Sequence, residues 1–266
     1  ICTSCRPDCA VCYSVLSRYA GKPATKYRIK CARRILAYLF ATREMGIEYS
    51  REKEREFTNI YQKLLEKGLN NDDGSSIDWS QEPFPKFHMF SDASFASCFT
   101  TLKSVTGSVL YYRGACILWK SNRQSVRSYS TSESEYIACS DSIILQQSAG
   151  FISWFKEEKA NVPMWVDNTS AIQISKSDIV RPKSRHYALR YLRVKDECER
   201  IAFCPTDLMK ADPLTKVKID PRQRKLLFHH TYGAPKPTKD GDKVNDDDEA
   251  LTVLCIAGFW KSGTAC

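Results

Sequence analysis

No uninterrupted apolar run in this chain approaches the roughly 20 residues that span a bilayer. The longest candidate, Leu251 to Trp260, is about half that length and contains Thr252 and Gly258. No membrane span is therefore expected. The chain begins Ile1-Cys2-Thr3 with neither an initiator methionine nor a charged-then-apolar leader, so it reads as a piece of something longer. There is no internal repeat, which argues against solenoid and propeller architectures. The Tyr-or-Phe, any residue, Asp, Asp pattern of a polymerase active site is also missing. Asn71-Asp72-Asp73 sits in a polar stretch without strand context, so this segment is not expected to polymerise DNA alone.

What is present is a chain of 266 residues, 42% hydrophobic and 11% aromatic, which is enough for one full core and a small second unit. Its net charge is +9, but residues 240–249 hold six acids against the single base Lys243, so residues 1–239 carry +13. A surface that basic attracts polyanions, nucleic acid being the usual one, through phosphate contacts that release counterions. Twelve cysteines are many for a chain without a secretory signal; most are scattered and are expected to be reduced thiols. Cys2, Cys5, Cys9 and Cys12 form a C-x2-C-x3-C-x2-C cluster with metal-like spacing, yet the long loop of ordinary zinc modules is lacking. Small apolar positions on a helix with Val11, Val15 and Leu16 are the reading we take for Cys9 and Cys12, with no stoichiometric zinc or iron expected.

Along the chain, residues 6–49 read as two helices separated by Gly21-Lys22-Pro23. The second runs from Tyr27 to Leu39 with Ile29, Ala32, Ile35, Leu36 and Leu39 at helical spacing. Residues 51–83 are charged, then polar, and end on Pro83 and Pro85, a linker signature. Three strands follow, Phe87 to Ala93, Gly107 to Tyr112 and Ala115 to Lys120, the last two joined by an Arg113-Gly114 turn. A helix from about Ser132 toward Lys159 is predicted, with Ser130, Thr131 or Ser132 as N-cap, Glu135 as capping-box partner of Ser132 and a break near Gly150. Then come a short strand from Met164 to Asp167, a helix through Ile172 and Ile174, a helix from about His186 to Glu197, and a strand from Arg200 to Cys204. Leu208 to Thr215 reads as a turn or helix start. That order fits an α/β fold: a mixed five-stranded sheet with flanking helices, preceded by a small helical segment.

Four acids stand at ends of predicted elements: Asp92, Glu135, Asp167 and Asp212. Any one of them is more simply a turn or cap residue. Together they suit phosphodiester hydrolysis, which needs converging carboxylates to hold two divalent ions about 3.5–4 Å apart. Hard oxygen ligands favour Mg²⁺, or Mn²⁺, over zinc.

At these residues a resemblance becomes specific. Ser91-Asp92-Ala93-Ser94, Lys103-Ser104-Val105-Thr106-Gly107, Trp119-Lys120-Ser121, Ser130 to Ala138, Val166-Asp167-Asn168 and Ala211-Asp212-Pro213-Leu214-Thr215-Lys216 occur in the order found in RNase H domains of copia-type retrotransposon polyproteins. Upstream, Arg6-Pro7-Asp8, Leu16-Ser17-Arg18-Tyr19 and Ala32 to Leu39 look like the region between reverse transcriptase and RNase H, so the resemblance covers about residues 6–216. It implies an RNase H-like fold and metal-dependent cleavage of the RNA strand of RNA–DNA hybrids, with Asp92, Glu135, Asp167 and Asp212 as catalytic metal ligands. The implied partners are the hybrid and the reverse transcriptase portion of the same polyprotein, in an intracellular setting, cytoplasmic particle or nucleus. The superfamily pattern of Glu, apolar residue, any residue, Ala selects Glu135-Tyr136-Ile137-Ala138, leaving Glu133 as a solvated first-turn acid favoured by the helix dipole.

The family's basic, histidine-containing stretch is matched by Arg181 to His186. Arg185 and His186 there either contact substrate or belong to a solvated loop. Ala188 and Leu192 stand where relatives place Asp and His. The resulting division is 1–50, a helical segment resembling the end of reverse transcriptase; 51–83, linker; 84–232, RNase H-like domain with a last helix over Asp220 to Tyr232; and 233–266, a disordered tail. Two rivals remain: a non-catalytic remnant that binds nucleic acid, and an integrase-like strand-transfer enzyme, disfavoured because the acids run Asp, Glu, Asp, Asp.

Overall fold

A computed structural model describes residues 5–43, 47, 49–69, 84–98, 100–149, 162–176, 188–198 and 201–216. Strands β1 (Phe87–Ser94), β2 (Val105–Tyr112), β3 (Ala115–Arg123), β4 (Met164–Val166) and β5 (Ile201–Phe203) form one five-stranded sheet in the order β3-β2-β1-β4-β5. The β1-β2 and β2-β3 pairs are antiparallel, and β1-β4 and β4-β5 are parallel. This is the mixed α/β sheet expected from the sequence.

The β2-β3 hairpin closes on Arg113 (φ 46°) and Gly114 (φ 79°). Two consecutive left-handed residues make the two-residue turn whose twist suits a hairpin. The central strand β1 alternates between two apolar faces. Phe87 and Met89 join Tyr136, Ile143 and Val194 on one side, under α4 (Thr131–Ser148) and α6 (Ala188–Glu197), with α5 (Thr169–Lys176) completing that layer. Phe90 faces the other side with Val109, Tyr111 and Trp165. Burial of a strand on both faces is what places β1 in the middle of the sheet.

The second face is covered by α3 (Arg51–Leu69), a correction to the linker expected over 51–83; residues 70–83 of that stretch lie outside the described residues. Phe57, Tyr61 and Leu65 recur every fourth residue and are buried, Phe57 stacking on Tyr111 with ring centroids 5.5 Å apart. Tyr61 meets Trp165 at 5.3 Å and donates its hydroxyl hydrogen bond to the Leu208 carbonyl at 2.9 Å. A narrow stripe of large rings outweighs the charges around it, since each ring buries well over 100 Å². Gly114 takes part too, because a Cβ there would lie 2.9 Å from the Lys53 carbonyl oxygen.

The N-terminal helices α1 (Ala10–Ser17) and α2 (Lys26–Ala41) occur where expected, α2 capped by the Thr25 hydroxyl, which accepts from the Arg28 N–H at 3.2 Å. Their shared core is narrower than the predicted stripe: Ile35 and Tyr38 are buried, whereas Ile29 and Leu36 are exposed. Cys9 and Cys12 pack in this cluster beside Val11, Cys5 is exposed, and Cys2 lies outside the described residues. Arg6 ties the segment together, pairing with Asp8 at 2.7 Å and donating to the Thr42 carbonyl at 3.0 Å. Among the described residues no helix is long and apolar enough to cross a membrane. The last helix expected over Asp220 to Tyr232 and the tail expected over 233–266 lie outside the described residues, as does the helix beyond residue 149 predicted to reach Lys159.

Candidate metal centre

The parallel β1-β4 pair sets the site. Phe90 pairs with Trp165, so two residues further on Asp92 and Asp167 emerge side by side at the carboxyl ends of neighbouring strands, where open α/β sheets usually bind ligands. Helix α4 crosses β1 and β2 and brings Glu135, one turn into the helix, over the same end. One carboxylate oxygen from each of Asp92, Glu135 and Asp167 lies within 4.8 Å of the others, despite sequence separations of 43 and 32 residues. Asp92 and Glu135 are buried; Asp167 is half-buried and opens the cluster toward solvent.

Asp212 is not in that three-residue set but stands beside it. It lies in a 3-10 turn (Asp212–Leu214) that docks on β2 at Gly107, where a Cβ would come within 2.6 Å of Thr215 Cγ2 and 2.7 Å of the Ala211 carbonyl oxygen. Only a residue without a side chain admits that approach. The docked turn lets the Thr215 hydroxyl hydrogen-bond to Asp92 Oδ2 and lets Lys216 pair with Asp212 Oδ1.

Crowding these acids into one buried place disfavours their charged forms. Burial, then the neighbouring Asp212, push the Asp92 carboxyl up to about 7, although the Thr215 hydroxyl opposes the shift. Burial, with Asp92 and Asp167 close by, pushes Glu135 up to about 10. Asp212 is raised by burial and held back by Lys216. Glu135 Oε2 is buried and accepts no hydrogen bond. Three converging hard oxygen donors, one orphaned, and a surplus of negative charge fit a divalent cation such as Mg²⁺ or Mn²⁺.

Glu133 departs from its expected role. It is buried, and the capping box is Ser130 with Glu133, not Ser132 with Glu135. Ser130 Oγ accepts from the Glu133 N–H at 3.1 Å, while Glu133 Oε2 accepts from the Tyr129 N–H at 2.8 Å. The box sits two residues earlier than expected, which leaves Glu135 unused by the cap and directed at the acids. Arg185 and His186 lie outside the described residues. Thr215, Lys216 and Gly107 were not singled out from sequence, although all three fall inside the strings that carried the resemblance. Gln124 gave no signal; buried, it donates to Thr106 Oγ1 at 3.1 Å and to the Ser134 carbonyl at 2.8 Å, tying β2 to the start of α4.

No family model matches the chain. Over 136 residues it is 29% identical to the retrovirus-related Pol polyprotein from transposon TNT 1-94 of Nicotiana tabacum, a match covering 48% of this chain and 10% of that polyprotein. It is also 25% identical over 136 residues to the secreted RxLR effector protein 161 of Plasmopara viticola, covering 51% of this chain and 74% of that protein. The chain thus resembles, over about half its length, a segment of a retrotransposon Pol polyprotein and spans about a tenth of that relative.

Proposed function

We propose that the chain is an RNase H-type hydrolase that cuts the RNA strand of RNA–DNA hybrids with Mg²⁺ or Mn²⁺. The observation that carries this reading is the convergence of Asp92, Glu135 and Asp167 within 4.8 Å at the carboxyl ends of β1 and β4. When bound there, the divalent ions supply Lewis-acid stabilisation of the developing charge and lower the pKa of a nucleophilic water. Asp92, Glu135 and Asp167 hold that charge in place, and Asp212 completes the acidic wall while its own charge is moderated by Lys216. Thr215 fixes the Asp92 carboxylate through its hydroxyl. The basic surface holds the hybrid by its backbone and shape with little reading of bases. The α1 and α2 helices fit the end of a reverse transcriptase portion, which would be the partner within a longer polyprotein. The test is incubation of the purified chain with a hybrid labelled on the RNA strand. Mg²⁺-dependent cleavage of that strand, with duplex DNA and duplex RNA left whole, is the expected result; a hybrid left whole at every Mg²⁺ and Mn²⁺ concentration overturns the reading.

One second reading is a non-catalytic retroelement remnant that keeps the fold and binds nucleic acid, favoured by Ala188 and Leu192 standing where the resembled family places Asp and His. Hybrid binding without cleavage under those conditions would select it.

A further inference from the structure

Helix α2 buries one face and leaves the opposite one bare. Cys31, Ile35 and Tyr38 are its buried residues. On the other side Ile29, Arg33, Leu36 and Phe40 recur at the spacing i, i+4, i+7, i+11 of a single face, with Lys26 and Lys30 beside them. All six are exposed among the described residues, Leu36 at 64% and Phe40 at 70%. One exposed leucine needs no explanation, but three large apolar side chains in a continuous stripe mark a surface that another segment covers.

The charge on this helix narrows what the covering segment can be. It holds five cations and no acid, and all five fall within its first nine residues, Lys26 to Arg34. Lys26 and Arg28 stand in the first turn, where the helix dipole already presents positive charge and an anion is the favoured neighbour. The segment therefore needs acids for the first half of α2 and large apolar side chains for Leu36 and Phe40. A second copy of the chain does not supply this. The stripe laid on itself in parallel sets cations against cations, and antiparallel it sets them against Leu36 and Phe40 with no acid present. The chain's own sequence does supply it. Residues 240–249 hold six acids, four of them consecutive from Asp246 to Glu249, and the run Leu251 to Trp260 follows, apolar but for Thr252 and Gly258.

The described chain also ends close to this helix. The Asp212–Leu214 turn touches both the Pro7–Cys9 turn and α1, and α1 packs on α2. From Lys216 the chain needs 24 residues to arrive at Asp240, a reach of up to about 80 Å. Between Arg33 and Phe40 the helix rises about 10 Å. The stretch from Glu249 to Ile256 covers about 10 Å if helical and about 23 Å if extended, so acids followed by apolar residues fit along cations followed by apolar residues. We propose that the exposed face of α2 is the docking site of this chain's own C-terminal segment, residues 240–260. Its acids lie on Lys26, Lys30 and Arg33, and its apolar run lies over Ile29, Leu36 and Phe40. By composition alone residues 233–266 read as a disordered tail. A basic and apolar surface on the same chain supplies the burial that such a tail lacks, at the high effective concentration of an intramolecular site. The inference stands apart from the nuclease reading, since none of these residues belongs to the acidic cluster.

The test alkylates the full chain with iodoacetamide under native conditions and follows each cysteine by peptide mass spectrometry. Cys255 lies inside the apolar run and Cys266 beyond it, so the second is a control for the first. At low salt Cys255 is expected to react at least about tenfold more slowly than Cys266, which corresponds to docking for about nine-tenths of the time. Raising the salt to about 0.5 M should bring the two rates closer by screening the acids from the cations. Phe40→Asp, at a side chain exposed enough to leave the fold unchanged, should abolish the protection at low salt. Carbodiimide cross-linking of wild type should join Lys26 or Lys30 to an acid among residues 240–249 within the monomer. Equal rates for Cys255 and Cys266 in wild type at low salt overturn the proposal and leave the face to a different protein partner. Protection that survives Phe40→Asp at an unchanged melting temperature seats the segment elsewhere and also overturns it. Protection that falls on dilution, with the cross-link confined to a dimer, makes a second copy the occupant and overturns it too. Should Phe40→Asp unfold the chain, the wild-type cross-link decides, and its absence overturns the proposal.

Discussion

Two regions of this molecule bury ionisable groups, and they solve the problem in opposite ways. At the carboxyl ends of β1 and β4, Asp92 and Glu135 are buried beside Asp167 and Asp212, and Lys216 is the cation that pairs with one of the four. Under α3, Lys210 is buried between the rings of Tyr61 and Tyr111, its Nζ without a hydrogen bond and about 6 Å from each ring centroid. The ring faces favour an ammonium, worth about 1–2 kcal/mol at that range. Burying it unpaired costs several kcal/mol, which favours the neutral amine, and burial holds Lys210 well below the ordinary lysine range. Lys210 can relieve its charge internally; the acids, half-open through Asp167, can also take up a cation. Burial alone marks no functional site. Convergence of like charge with an opening does.

The comparison is broken or sharpened first by removing charge from the acids. Asp92→Asn and Glu135→Gln are each expected to lower hybrid cleavage by at least about 10³-fold, equivalent to ~4 kcal/mol of transition-state stabilisation. Hybrid binding should persist or tighten, because the basic surface is untouched. Glu133→Gln keeps an oxygen to accept from the Tyr129 N–H and should stay within a few-fold of wild type in a cleavage time course. Equal losses from both glutamate changes would refute the division of labour between Glu133 and Glu135.

The next effect is on stability against pH. In the metal-free protein, Asp92 is raised to about 7 and Glu135 to about 10, so the folded state binds more protons than the unfolded chain above the ordinary carboxyl range. Their contribution is fully present below about pH 4 and is lost as pH rises through about 7 for Asp92 and on toward 10 for Glu135, a fall of a few kcal/mol. Mg²⁺ binds the ionised carboxylates, so it should raise the melting temperature more at pH 8 than at pH 5. Thermal melts of wild type and Asp92→Asn, with and without Mg²⁺, check this; a melting temperature equally insensitive to Mg²⁺ at both pH values would refute it.

A smaller loss is expected from Gly107→Ala. The new Cβ would sit 2.7 Å from the Ala211 carbonyl, a backbone atom that cannot step aside alone, so the turn carrying Asp212 and Thr215 must shift. Overpacking of this kind costs about 1–3 kcal/mol. Cleavage should fall by more than the melting temperature alone explains, since Thr215 loses its position on Asp92. Full activity with a normal melting temperature would show that the turn has slack.

How much of this was legible in the sequence differs between the two regions. The hairpin at Arg113-Gly114, the strand ends at Asp92 and Asp167 and the order of elements follow from turn chemistry and alternation, which are local. Helix α3 was legible in principle, since Phe57, Ile60, Tyr61, Leu64 and Leu65 stand at helical spacing and pack on one cluster, but the many charges between them and the polar run that follows mask that stripe. Ser130, Thr131 and Ser132 all read as competent caps; packing selects Ser130 and pairs it with Glu133, which the expected Ser132–Glu135 box did not foresee. Gly107 and Lys210 depend on contacts with residues about a hundred positions away, and no local pattern encodes those.

The smallest effect, and the sharpest contrast with the acids, is expected at Lys210. Its folded pKa is depressed, so its contribution to stability is fully present above the unfolded lysine value of about 10.4 and is lost as pH falls below it. This is the opposite slope to that of Asp92 and Glu135. Lys210→Met keeps the length and most of the volume of the side chain while removing the buried nitrogen. It should therefore raise stability near pH 7 by about 1 kcal/mol, with the gain shrinking as pH approaches 10. Cleavage should be unaffected, since Lys210 packs under α3 with Tyr61 and Tyr111 and lies outside the acidic cluster. Denaturant melts of wild type and Lys210→Met from pH 6 to 10 decide the matter. A variant less stable than wild type at pH 7 would mean that the amine stays charged and is held by the two rings, and the contrast between the regions would then be one of partners and no longer one of proton loss.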